Sequence, residues 1–328
     1  MKNLIELHCH LDGSLDLKTS YKLAMNRGII DKDMEFEDFK KRMTVSSDNA
    51  SLEEFLSCFE LPISILQDEE ALTISTAKLI KNLRKDKVVY AEIRFAPQFH
   101  TQEGLTQEEA VKAVLEGVKD ARSLHKDIKV QIILCMMTDD PAGKNFNENK
   151  ETIEVAKKYL KKGVCAIDLA GNEANLADYK ELIDYAKELG VPYVLHAGEV
   201  DYPKNVELAI EYGAKRIGHG VNVVNDEEIL KKLVDSKIPL EVCVTSNIQC
   251  KTQPSYEEHS IRELFDKGVK ITLNTDNRTL SNTTLNKEIK KIMKHLNFTK
   301  KEVRKMMINA LNNSFLNEKD KDRILDKF

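Results

Sequence analysis

Eight short, apolar, β-branched runs alternate with longer amphipathic stretches along this chain, and that alternation restricts the fold more than any other feature. The runs are LIELHCH (4–10), VVYAEIRFA (88–96), KVQIILCMM (129–137), VCAIDLAG (164–171), VPYVLHAGE (191–199), KRIGHG (215–220), PLEVCVTSN (239–247) and KITLNTDN (270–277). Helical patterns such as 106–124 and 205–214 lie between them. Strand–helix alternation repeated eight times predicts an α/β fold of parallel βαβ units closed into a (β/α)8 barrel. An open doubly wound sheet is the alternative, but its GxGxxG phosphate fingerprint after the first strand is absent. Barrels of ~250 residues or more form one domain, so residues 1–328 are expected to be a single domain.

Two stretches exceed the barrel pattern. Residues 12–87 are far longer than a βα connection and contain helical patterns, including SLEEFLSCFELPISILQ (51–67). A helical insertion over the barrel mouth is expected there, with Phe55, Phe59 and Leu61 closing over a ligand. The Lys-rich tail after Asn277 reads as helices packed on the barrel's outside. A net charge of −4 leaves no basic footprint for nucleic acid and no polybasic membrane patch. No run approaches membrane-spanning length, and the N-terminus lacks a signal-peptide apolar core. The six cysteines include no CxxC pair, and Cys9, Cys135, Cys165 and Cys243 sit in apolar runs, as buried thiols do. A reducing, cytoplasmic setting follows. The sequence leaves oligomeric state open.

Residues suited to metal or acid–base chemistry fall at the C-terminal ends of the expected strands, the face on which barrels build active sites. His8 and His10 flank Cys9, so strand alternation points both imidazoles into the mouth and Cys9 toward the helices. Alone, an HxH pair is weak evidence for a metal and is more often two core or surface histidines. His196 ends the fifth strand and Asp276 the eighth, next to the first after closure. Three imidazoles and a carboxylate form a set suited to zinc. Strand four has no lysine at its tip to bridge a second metal, because Lys161 and Lys162 precede the strand; one metal ion follows. Glu199, just beyond His196, suits a general acid, against the plainer reading of a helix-start glutamate. His219 lies between two glycines that permit close approach of another group. His100, His125, His259 and His295 receive no catalytic role.

These motifs together resemble the adenosine deaminase family. HCHLDGS (8–14), IDLAGNE (167–173), HAGE (196–199), RIGHG (216–220), CVTSN (243–247) and LNTDN (273–277) match its blocks in order, and YAEIRFAP (90–97) and SLEEFL (51–56) resemble further segments. The resemblance covers essentially the whole chain. It implies that His8, His10, His196 and Asp276 hold one zinc ion, which lowers the pKa of bound water toward ~7. Glu199 would protonate purine N1, and His219 and Asp276 would position the attacking water and take its proton. The N–H of Gly171 would meet purine N3, and Asp12, as an ionised carboxylate, would bind the ribose 5′-hydroxyl. Many members carry a second Asp after the metal-binding one; here Asn277 stands there, and an amide can donate to N7 at any pH.

The implied substrate is a small purine nucleoside, adenosine or 2′-deoxyadenosine, deaminated to inosine and ammonia. The HxHxEG form of base-specific relatives is replaced by HCHLDG, which favours nucleosides over free adenine. A 5′-modified adenosine such as aminodeoxyfutalosine remains an alternative, and AMP is disfavoured because the sequence shows no evident phosphate-binding cluster. An inactive purine-binding module predicts a broken ligand set, and none of these residues is missing.

Overall fold

The structure is a computed structural model and describes residues 2–46, 51–138 and 143–326. Eight parallel strands form in chain order: β1 (Leu4–His10), β2 (Val88–Phe95), β3 (Lys129–Met137), β4 (Val164–Ala170), β5 (Leu195–Ala197), β6 (Ile217–His219), β7 (Leu240–Val242) and β8 (Ile271–Leu273). β1 to β4 pair as one four-stranded sheet and β5 to β8 as another. Backbone bonds join the two along both seams. Val194 N–H donates to Ile167 O and Ile167 N–H to Pro192 O, both at 2.9 Å, between β4 and β5. Past β8, Asp276 N–H donates to His8 O and His10 N–H to Asp276 O, both at 2.8 Å. The strands thus run round a (β/α)8 barrel, as the alternation predicts.

The helices between strands follow ordinary rules. Between β1 and β2 lie α1 (Leu17–Asn26), α2 (Phe36–Arg42), α3 (Leu52–Ser57), α4 (Glu60–Ile65) and α5 (Glu69–Lys85); residues 47–50 of the expected 12–87 insertion lie outside the described residues. The single pattern over 51–67 is in fact two helices. Pro62 has no N–H to bond back to Cys58, so a continuous helix cannot pass, and Pro62 is tolerated only in the first turn of α4. Ser51 caps α3 and Asp68 caps α5 through their side-chain oxygens. α6 (Gln107–Leu124) opens on a Thr106–Glu109 capping box. No described helix is long and apolar enough to cross a membrane.

Three expectations change in detail. The run 239–247 holds strand only over β7, because Val244–Gln249 turns into a helix. The runs 191–199 and 270–277 likewise keep only three strand residues each. The tail does more than cover the outside. Its helix Lys300–Asn312 packs on β8 and β1, but Phe315 then packs with Ile133, Cys165, Ala166 and Val194. Its N–H donates to Glu92 (2.7 Å) while Asn313 O accepts from Arg216 (2.9 Å), so the chain plugs the end of the barrel opposite the mouth.

Candidate active site

β1 aims His8 and His10 to one side, and Cys9 between them packs in the apolar core, as strand alternation requires. The two Nε2 atoms lie 3.3 Å apart, and each lies 3.4 Å from Asp276 Oδ1. His196 and His219 complete a close cluster, with ring centroids 4.7 and 4.9 Å from that of His8. Gly218 makes the clustering possible, since a Cβ there would stand 3.2 Å from both the His196 and His8 rings. Asp276 lies past the end of β8 in left-handed backbone (φ +58°), held by its two bonds to β1 and by a 2.5 Å bond from Ser246 Oγ to its carboxylate.

The outer ring nitrogens decide what the inner ones can do. His8 Nδ1 donates to Glu241 at 2.9 Å and His196 Nδ1 to Asp168 at 3.1 Å, so each Nε2 presents a lone pair inward. His219 differs, because the Asn247 amide donates to its Nδ1 at 3.1 Å, which leaves the proton on Nε2. His219 Nε2 in turn faces Glu199 Oε2 at 3.6 Å. Burial opposes ionisation of Asp276, but its surroundings, the imidazole of His8 first, hold its carboxyl well below the usual range. Burial draws His10 far below the ordinary imidazole range, so it is neutral. Inward lone pairs and an anionic carboxylate packed at these distances repel one another unless a cation lies among them, and three imidazoles with a carboxylate are a zinc-type donor set. The residues fit such an ion.

Glu199 is buried beside this cluster, and its pKa is pushed up to about 8 by burial and then by the Asp276 charge. Its loop is fixed from below: Glu173 accepts from the N–H groups of Gly198 and Val200, and Asn222 donates to Glu199 O. The cluster floors a cavity of about 630 Å³ whose apolar wall includes Leu52, Phe55, Leu56, Phe59 and Phe99. Leu61, expected to join that wall, packs on the main core instead, one face round the helix. Cys135, read as an ordinary buried thiol, lines the cavity as well.

Asp12, Gly171 and Asn277 all reach the same cavity. Asp12 departs from the expected ionised state: burial brings its pKa up to about 7, so its protonated form, which donates as well as accepts, is populated at neutral pH. Gly171 holds φ +105° against Thr138, a conformation that suits glycine. Asn277 packs over Gly13, where any Cβ would collide with its amide. No lysine or arginine lines the cavity among the described residues.

A profile described as adenosine deaminase matches residues 4–328. The chain belongs to the adenosine deaminase family. An adenosine deaminase from Haemophilus ducreyi is 39% identical over 98% of this chain and 94% of its own length. One from Clostridium perfringens is 39% identical over 98% and 96%. Among solved structures, an adenine deaminase from Arthrobacter aurescens superposes with a TM-score of 0.89 at 23% identity, covering 100% of this chain and 98% of that one. The N6-methyl-AMP deaminase of Arabidopsis thaliana gives 0.84 at 25% identity over 99% and 96%.

Within this adenosine deaminase fold, the residues singled out from sequence lie together at the cavity, Leu61 excepted, and the layer beneath them was missed. Asp168, Glu241 and Ser246 orient His196, His8 and Asp276, Asn247 orients His219, and Arg94 joins two of the carboxylates, its guanidinium bonding Asp168 at 2.8 Å and Glu241 at 2.7 Å. The available signal was a charged residue inside an apolar strand run: Arg94 in YAEIRFA, Asp168 in CAIDLA and Glu241 in PLEVCV.

Proposed function

We propose that this chain catalyses hydrolytic deamination of adenosine and 2′-deoxyadenosine to inosine and ammonia, with one zinc ion held by His8, His10, His196 and Asp276. The observation that carries the reading is the convergence of those four groups, with Glu199 and His219, on the floor of one cavity in an adenosine deaminase family member. Zinc held there would supply a water acidified toward neutrality. Asp276, anionic and fixed by Ser246, would orient the attacking water toward C6 and take its proton. Glu199, protonated near pH 7, delivers a proton to N1 as the C6–O bond forms, which makes C6 more electrophilic and takes up the electron pair displaced onto N1. His219, with its proton on Nε2, donates to the developing negative charge at oxygen. The C6–N6 bond breaks as the amine takes the proton held by Asp276 and leaves as ammonia, and Glu199 recovers its own from the C6 hydroxyl. Phe55 and Phe59 exclude water above, and Asp12, Gly171 and Asn277 fix ribose and purine.

The relatives' names support adenosine over the alternatives, and the absence of cations in the described cavity wall argues against nucleotides. Residues 1–328 act as one domain in this reading, on a small molecule, in cytoplasmic purine salvage, with neither nucleic acid nor membrane as partner. Ultraviolet assays of adenosine, 2′-deoxyadenosine, adenine and AMP, before and after chelation and zinc readdition, test it. Zinc-restored turnover confined to the nucleosides is expected; turnover of adenine or AMP alone overturns the substrate, and full activity after complete metal removal overturns the mechanism.

A further inference from the structure

Beneath the cluster lies a lattice of ionised groups that solvent does not reach. Arg94 on β2, Asp168 on β4, Arg216 just before β6, Glu241 on β7 and Glu92 on β2 are all fully buried. The Arg94 guanidinium uses its two terminal nitrogens on different targets. Nη1 donates to Asp168 (2.8 Å), and Nη2 donates to Glu241 (2.7 Å) and to Leu7 O on β1 (2.5 Å). Asp168 and Glu241 are the carboxylates that receive Nδ1–H of His196 and His8. A continuous path therefore runs His196–Asp168–Arg94–Glu241–His8, from the fifth strand to the first.

Arg216 supports only one side of that path, bonding Glu241 and Glu92 and stacking its guanidinium 4.5 Å from the Phe315 ring. Arg94 alone touches both orienting carboxylates among the described contacts. A guanidinium is planar, with its donors at a fixed angle, so it sets the separation of the two anions it bonds; an ammonium supplies the same charge without that geometry. Burial raises the stakes, since a carboxylate left without its cation here has no water to turn to.

We infer that Arg94 is a positioning residue that couples the orientations of His8 and His196, so that the two ligands from opposite halves of the barrel are set as one unit. The inference rests on the proposed zinc site. A plain structural role, neutralising buried carboxylates, predicts a loss of stability alone. Coupling predicts more. Arg94→Lys keeps the charge and loses the fork, and should weaken zinc binding about 10–100-fold, the range for disrupted outer partners of metal ligands. Cobalt(II) placed in that variant should show an altered ligand-field spectrum.

Zinc affinity is read by chelator competition on metal-free protein without substrate. Asp168→Asn and Glu241→Gln, singly and together, then test the path with Arg94 intact. Each breaks one arm, and the double variant should lose less affinity than the two losses summed, because the first break already frees the guanidinium. Wild-type zinc affinity and an unchanged cobalt spectrum in Arg94→Lys overturn the inference while leaving the zinc site standing. So do carboxylate losses that simply add, a result that decides the matter even if Arg94→Lys fails to fold. Wild-type protein that takes up no zinc overturns the zinc reading itself.

Discussion

The two halves of the barrel solve the same problem in different ways. β1 to β4 are strands of seven to nine residues, whereas β5 to β8 keep three residues each. The first half presents His8 and His10 from within a regular strand, where alternation alone aims them. The second half abandons strand geometry to place its groups. His219 and Asp276 adopt left-handed backbone, as do Gly198 and Gly220 beside them. For a non-glycine residue that conformation costs about 1–3 kcal/mol, and it persists where surrounding structure dictates it, as at working sites. Regular strand gives rigid direction; interrupted strand lets four differently shaped demands meet at one point.

The strongest test asks whether both halves are indispensable. His8→Ala, from the regular half, and His196→Ala, from the irregular one, should each lose zinc and drop activity to background, read by elemental analysis and the ultraviolet assay. Near-stoichiometric zinc in either variant would mean that one half suffices. Glu199→Gln comes next and separates chemistry from assembly within the second half. It keeps shape and zinc but removes the transferable proton, so kcat should fall ~10²–10⁴-fold. A kcat near wild type would make Glu199 a loop residue only.

Asp12→Ala moves the test to the first half, just past β1. Losing one hydrogen bond to a ribose hydroxyl should lower kcat/KM for adenosine about ten- to hundredfold, on the order of 1.5–3 kcal/mol, with zinc content held and any activity on adenine unchanged. Equal losses on both substrates would assign Asp12 to the turn it lies in. The smallest effect concerns backbone alone. Gly220→Ala meets both a positive φ and the packed Leu240 side chain, whereas Gly28→Ala meets a positive φ in open space. Thermal or denaturant unfolding should show ~1–3 kcal/mol lost at Gly220 against ~1 kcal/mol at Gly28. Equal losses would show that the irregular half is no more constrained than a surface turn.

The same contrast explains what could be read from sequence. The HCH pattern specifies its geometry because a strand has a period of two. His196, His219 and Asp276 were legible as types at strand ends, but their approach to one another depends on Gly218 and on left-handed turns that no periodicity encodes. Strand length was legible in the first half and overstated in the second, where an apolar run such as 239–247 continues unchanged into a buried helix. Arg94, Glu241 and Asp168 were visible as charges in apolar runs, yet their pairing across β2, β4 and β7 is a property of closure. The break between α3 and α4 was legible in principle, since the missing N–H of Pro62 is written in the residue.

The bonds from Asp276 to β1 bear on timing. The same residue whose backbone fastens the end of the last strand to the first also carries its carboxylate to the two histidines on that first strand. During synthesis His8 and His10 emerge early and wait for nearly the whole chain before their carboxylate partner exists. A lone HxH pair holds an ion weakly, so the nascent chain has little means of capturing metal prematurely. With the proposed zinc site, full-strength uptake would begin only when the ring shuts, and metal retention would report on completed closure: a chain truncated before Asp276, or trapped with the seam open, is expected to give up its ion to a competing chelator.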